Sequence, residues 1–318
     1  MEEVNHFTYG WINPAMAFGF AFIGSLLSLA CMNRARLDQN PIRSLTSPRI
    51  GWIALASLSL GGTAIWMMHF TAMIGFRVIG SRIAYDPFVT FLSLVASITA
   101  VSFGLLLVGA GRRRSILRVL IAGPPTGAGV VLMHYMGMHA INISGVLHHD
   151  HSFVIASIVI ALIAATVALF FALWLKGWVG QIVGAFIMAI AISAVHYTGM
   201  AGVRVTVHDQ GRQQVDGIDP IMLTIPILIL ATLLIIVVLF TLFTHPVRVR
   251  STSTESEQTH PAIDETPAPQ HPEGERHPSD YGDLDQMVDD LRPVPPEATA
   301  APAPSPGPRT DNPYGPSY

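Results

Sequence analysis

Seven apolar runs divide the first 250 residues, at roughly 13–33, 51–75, 88–110, 117–138, 152–175, 179–203 and 221–243. Each reaches the roughly 20 residues that an α-helix needs to cross a bilayer. No acidic residue falls inside a run. The pattern predicts an all-α, polytopic membrane domain over residues 13–244, with a short polar N-terminal segment (1–12) before it. Pro124-Pro125 interrupts the fourth run, which is therefore expected to be the least regular of the seven. A helix bundle tolerates such a break where neighbouring helices satisfy the freed carbonyls.

Composition sets the C-terminal residues apart from this domain. The chain is 51% hydrophobic and 12% charged, against about 25% charged in a soluble domain. Thirteen of its 21 acidic residues and fourteen of its 23 prolines lie after Arg250. Residues 245–318 therefore read as a disordered, Pro-rich acidic tail. One island, Tyr281 to Leu291, sets Leu284, Met287, Val288 and Leu291 at helical spacing, and is either a short partner-binding helix or a chance cluster. The net charge of −3 averages two unlike regions and points to no nucleic-acid partner. Residues 1–12 lack the basic segment and cleavage site of a removable signal peptide. Cys31, the single cysteine, excludes an intramolecular disulfide and is expected to be ordinary helix packing.

Loop charge predicts orientation. Arg34, Arg36, Arg43 and Arg49 follow the first run, Arg112, Arg113, Arg114 and Arg118 the third, Lys176 the fifth, and Arg248 and Arg250 the seventh. The other side carries only Arg77, Arg82, Arg204 and Arg212. The positive-inside rule then puts the N-terminus outside and the C-terminus in the cytoplasm of a bacterial-type plasma (inner) membrane. The second, fourth and sixth runs head outward.

Those three runs end in one repeated pattern: Met68-His69-Phe70-Thr71-Ala72-Met73, Met133-His134-Tyr135-Met136-Gly137-Met138 and Val195-His196-Tyr197-Thr198-Gly199-Met200. The histidines are 65 and 62 residues apart, which marks an internal repeat, with pairs of runs at 51–110, 117–175 and 179–243 as its units. Positions i and i+4 share a helix face, so each histidine is stacked with a methionine. His69, His134 and His196 could converge near the outer face as metal ligands, with Met73, Met138 and Met200 as additional ligands and Met68 and Met133 beside the first two histidines. Imidazole with thioether and no carboxylate suits copper, Cu(I) above all. Three histidines could instead hold zinc, and paired histidines could be axial haem ligands. Thr71, Thr198, Tyr135 and Tyr197 are candidate hydrogen-bond partners for a ring N–H. A plainer account makes each histidine a polar packing contact, but three equivalent copies in a bilayer favour a shared site.

Other histidines are weaker candidates. His139 stands at the membrane edge. His148, His149 and His151 with Asp150 form an outer-loop cluster, and His208 lies beside Asp209. No intramembrane carboxylate relay, P-loop, G-x-S-x-G or H-E-x-x-H pattern is present, so no enzyme activity is expected.

The three motifs resemble those of the MHYT family, seven-helix membrane proteins named for Met-His-Tyr-Thr. Gly61 to Phe70 is similar to the family's first motif region, and Ala84-Tyr85-Asp86-Pro87 to the start of its next helix. The likeness runs over about residues 6–244, although the copies here read MHFT, MHYM and VHYT. The resemblance implies a sensory domain that binds copper and, through it, oxygen, carbon monoxide or nitric oxide. Many such proteins fuse it to cyclic-di-GMP synthesis or breakdown domains. The stretch after Arg250 is too poor in apolar residues to fold as one, so output is expected to pass to a separate cytoplasmic protein through the tail. The expected function is a membrane sensor of a gas or of redox state. The alternative is a copper-handling protein that supplies a metalloenzyme. A transporter is disfavoured by the absence of intramembrane carboxylates.

Overall fold

The computed structural model describes residues 4–5, 10–37, 47–79, 81–109, 114–207 and 216–244. His208, Asp209, Arg212, Arg43, Arg112, Arg113, Arg248, Arg250 and the Tyr281–Leu291 island lie outside them. Among the described residues, seven helices are long and apolar enough to cross a membrane, each overlapping one apolar run. They are α1 (Ile12–Leu37), α2 (Pro48–Met73), α3 (Pro87–Gly109), α4 (Ile116–His139), α5 (His151–Trp174), α6 (Gly177–Ala201) and α7 (Pro220–Thr244). The chain is a multi-pass membrane protein.

The helix ends explain where much of the described charge sits. A helix leaves its first N–H and last C=O groups unpaired, and a bilayer offers them little water. Asp86 accepts from the backbone N–H of Phe88 and Val89 (2.8 and 3.0 Å) at the start of α3. Asp150 accepts from Ser152 N–H (2.8 Å) at α5, and Asp219 from Ile221 N–H (3.0 Å) at α7. The opposite ends of the same helices are closed by arginines. Arg49 donates to Gly109 O of α3. Arg36 donates to Leu173 O and, at 2.7 Å, to Leu175 O, where α5 ends. Arg34 donates to Leu242 O of α7 (3.1 Å). These arginines read as loop charges in the sequence, yet each has a specific carbonyl to satisfy.

Three antiparallel two-stranded ribbons lie at the aspartate-capped end. Strand β1 (Val4–Asn5) pairs with β2 (Arg77–Val78), β3 (Ala84–Tyr85) with β4 (Ile141–Asn142), and β5 (Gly145–His149) with β6 (Val203–Val207). Each ribbon joins the strand before an odd helix to the strand after the next even one. The pairing therefore closes the units β1-α1-α2-β2, β3-α3-α4-β4 and β5-α5-α6-β6. The ribbons thus close groups that begin one helix before the repeat units read from the sequence: α1 lies within the first ribbon-closed group, and α7 lies outside all three. Each of α1 to α5 packs on the next and α6 packs on α1, while α7 lies against α1 and the middle of α2. Exposed Phe91 and Phe103 on α3, Ile163 on α5, and Phe240 and Phe243 on α7 form the lipid-facing surface.

The irregular helix is α2, not α4. Its middle, Leu58–Met67, is π-helical, whereas α4 continues through Pro124 and Pro125. Glycines let the backbones meet at this stretch. A β-carbon on Gly24 of α1 would stand 2.6 Å from Ser59 O and 2.9 Å from Ala64 Cα. Ser97 Oγ of α3 donates to Gly61 O (2.8 Å) on its other side. Gly24→Val should therefore push α1 off α2 and destabilise the protein by about 1–3 kcal/mol or more. Thermal unfolding in detergent checks this. The control is Gly19→Val, whose added β-carbon meets no atom within 4 Å.

Candidate metal centre

The three motifs occupy the last turns of α2, α4 and α6, the closing helices of the three units. Ring contacts between the motifs and the ribbons, such as Phe70 on Tyr85 (5.9 Å between centroids), tie these turns to the ribbon layer. The result is convergence of His69, His134 and His196, which are 1%, 3% and 3% exposed. His69 Nδ1 lies 3.0 Å from His196 Nδ1 and 3.2 Å from His134 Nδ1. The rings stand nearly perpendicular in every pair, with centroids 5.0, 5.0 and 5.3 Å apart. The aromatic residue after each histidine packs edge-on to it at 4.9 Å, so Phe70, Tyr135 and Tyr197 repeat one local arrangement.

Two glycines set the rings. A β-carbon at Gly137 would collide with His69 Nε2, and one at Gly199 would lie 2.6 Å from His134 Nε2. Each of these two rings thus rests on the backbone of the next motif's helix. A glycine three places after the histidine in two of the three motifs was the available sequence signal, and it carries meaning only once the helices face one another.

Placing the protons identifies what the cluster can do. A neutral imidazole has one N–H and one lone pair. A proton on His69 Nδ1 can serve its two Nδ1 neighbours, but the Nε2 atoms of His69 and His134 are buried with no hydrogen-bond partner. An unpaired buried polar group costs about 1–3 kcal/mol. A metal ion 2.0–2.1 Å from three nitrogens would hold them roughly 3.3–3.6 Å apart, close to the spacing found here. These three residues form the one group of three or more His, Cys, Asp or Glu among the described residues with ligand atoms so close together. The donor set fits a metal that accepts neutral imidazole nitrogen.

The other candidates separate. Met73, Met138, Met200, Met68 and Met133 are all buried. Met68 packs with Ala17 and Ala21 of α1 and Ala189 of α6. Tyr135 does not support a ring N–H: its hydroxyl hydrogen-bonds Ser157 Oγ at 3.0 Å. Thr71 Oγ1 is buried without a partner, in a small cavity with Tyr85 and Thr224. His139 is exposed. The histidines between α4 and α5 form no ligand cluster. His148 Nε2 bonds Thr206 Oγ1 across the β5-β6 ribbon (3.1 Å), Asp150 caps α5, and His149 packs on the Tyr135 ring at 5.6 Å. The backbone N–H of Ser152 holds the Asp150 carboxyl below its ordinary range.

Burial, and then the neighbouring His148, hold His149 below its ordinary pKa of 6.5. The unfolded chain then binds a proton that the folded chain refuses, so stability should fall as pH drops below about 6.5. His149→Gln should flatten that slope, as read from unfolding midpoints across pH 5 to 7.

Comparison with known proteins agrees with the repeat and with the membrane assignment. The family described as "Bacterial signalling protein N terminal repeat" (MHYT) matches residues 62–123 and 127–185. An uncharacterized signaling protein of Caulobacter vibrioides is 33% identical over 184 residues, 58% of this chain and 22% of its own length. The cyclic di-GMP phosphodiesterase NbdA of Pseudomonas aeruginosa is 31% identical over 206 residues, 63% of this chain and 25% of its own. The bifunctional diguanylate cyclase/cyclic di-GMP phosphodiesterase MucR of the same organism is 30% identical over 202 residues, 61% and 28%. The chain thus spans about a quarter of the length of these relatives. No solved structure matches it. Two matched repeats, the three histidine motifs and the seven membrane helices place this chain in the MHYT domain family.

Proposed function

We propose that this membrane domain is a signalling sensor that holds one copper ion between His69, His134 and His196 and responds to a diatomic gas or to redox state. The observation that carries the proposal is the meeting of three buried imidazoles, with His69 Nδ1 3.0 Å from His196 Nδ1 and 3.2 Å from His134 Nδ1. Membership of a family described as signalling proteins supports the sensory role. Two relatives named for cyclic di-GMP turnover make that second messenger the first output to examine.

The three histidines would be the ligands. Copper is favoured over zinc or haem because a buried methionine recurs one turn beyond each histidine, at Met73, Met138 and Met200, and thioethers select soft ions. Bound copper would supply a one-electron couple and an affinity for small diatomic ligands. The chain's own contribution is to keep the rings buried and dry, and to fix the orientation of His69 and His134 on the Gly137 and Gly199 backbone. Burial of all three rings suits a retained ion better than the exchangeable ion of a copper carrier. With the arginine-rich ends inside, the site lies near the outer face, and the cytoplasmic segments would pass the response to a partner protein.

Elemental mass spectrometry of detergent-purified protein tests this. Near-stoichiometric copper is expected in the wild type, and none in His69→Ala/His134→Ala/His196→Ala. A wild type that takes up no metal even on reconstitution would overturn the proposal. Replacing Met73, Met138 and Met200 together by Leu should weaken Cu(I) binding more than Zn(II) binding, as competition titrations would show.

A further inference from the structure

A second feature of the helix bundle lies beside the histidines and holds none of their chemistry. Between α5 and the helices around it is an apolar cavity of about 40 Å³. Its walls include Ala161, Ala164, Ala165 and Ala168 of α5, and Ile192 and Val195 of α6. Val195 is the residue before His196 and stands where the other two motifs have Met68 and Met133. The shorter side chain at this motif position forms part of the cavity wall.

Three observations limit the occupant. The volume accommodates roughly three water-sized spheres at about 10–15 Å³ each, which suits a diatomic molecule and not an acyl chain. The side chain of Thr126, the polar one in the wall, already donates to Ala122 O at 2.8 Å. A water would find no side-chain donor in need of a partner, and an apolar cavity of this kind stays dry and takes up apolar guests. Ala164 and Ala168 are half-buried, on the side of α5 that faces outward, while Ala161 and Ala165 are buried, so the wall leads inward from the lipid-facing surface.

We propose that this cavity is a docking site for a small apolar gas entering from the bilayer, one residue away from His196. The cavity and its gas occupancy stand on the lining, and the delivery of gas to the histidines rests on the sensor function proposed above. Oxygen, nitric oxide and carbon monoxide dissolve better in hydrocarbon than in water, so a lateral apolar entrance would collect them where they are most concentrated.

Xenon is the probe, because it needs no metal. The intact protein in nanodiscs, with and without copper, would be examined by xenon NMR or by anomalous scattering from xenon-pressurised crystals. Xenon is expected in the cavity in both states, and is expected to be lost in Ala165→Leu. Ala168→Leu, at a half-buried position, provides a second filling variant should the first fail to fold. In copper-loaded protein, either filling variant should keep its metal yet slow the spectroscopic response to carbon monoxide several-fold. No xenon in the wild type, or an acyl chain in its place, would overturn the docking site. Xenon lost on filling, with an unchanged gas response, would overturn the route. Xenon bound in a protein that never takes up metal would leave the cavity standing and remove only the sensor function.

Discussion

A helix in hydrocarbon satisfies its own backbone everywhere except at its ends, and this structure is arranged around that exception. Helices α3, α5 and α7 are each closed by an aspartate at one end and an arginine at the other. The arginines come from other helices: Arg34 and Arg36 from α1, and Arg49 from α2. The same bonds that complete a helix therefore also fix which helices lie side by side. Net charge conceals this. A chain with few charges has placed six of them where an unsatisfied carbonyl or amide would be most costly.

With α3, α5 and α7 held at both ends, the even helices can carry the chemistry. Strand pairing ties the exit of each even helix to the entrance of the odd helix before it, three times over. The last turns of α2, α4 and α6 are drawn together as a consequence, and they bear the histidines. The cluster is unfavourable in its own right, since buried ring nitrogens lack partners. A locally inconsistent spot in an otherwise consistent membrane fold is where a functional site is to be sought.

Much of this is legible in the residues. Seven apolar runs become seven helices because period and length suffice in a bilayer, where no competing strand or loop is tolerated. The convergence of His69, His134 and His196 follows from their equivalent places in a repeat. What stays hidden depends on partners distant in sequence. Pro124-Pro125 looks disruptive, yet α4 absorbs both prolines, while the irregularity falls at Leu58–Met67, where Gly24 and Ser97 engage α2 from two sides. Tyr135 looks like a support for a ring nitrogen, but Ser157, from the next helix, takes its hydroxyl. Which helices the ribbons tie together cannot be read from periodicity, because each ribbon pairs strands distant in sequence.

The seating of the rings on glycine has a mechanical meaning. Most buried side chains touch other side chains, which can shift rotamer and absorb a displacement. His69 and His134 instead bear on main chain, at Gly137 and Gly199. Between α2 and α4, and between α4 and α6, no compliant layer separates ring from helix. A tilt of either imidazole is therefore transmitted as a movement of the neighbouring helix, over the full thickness that helix spans.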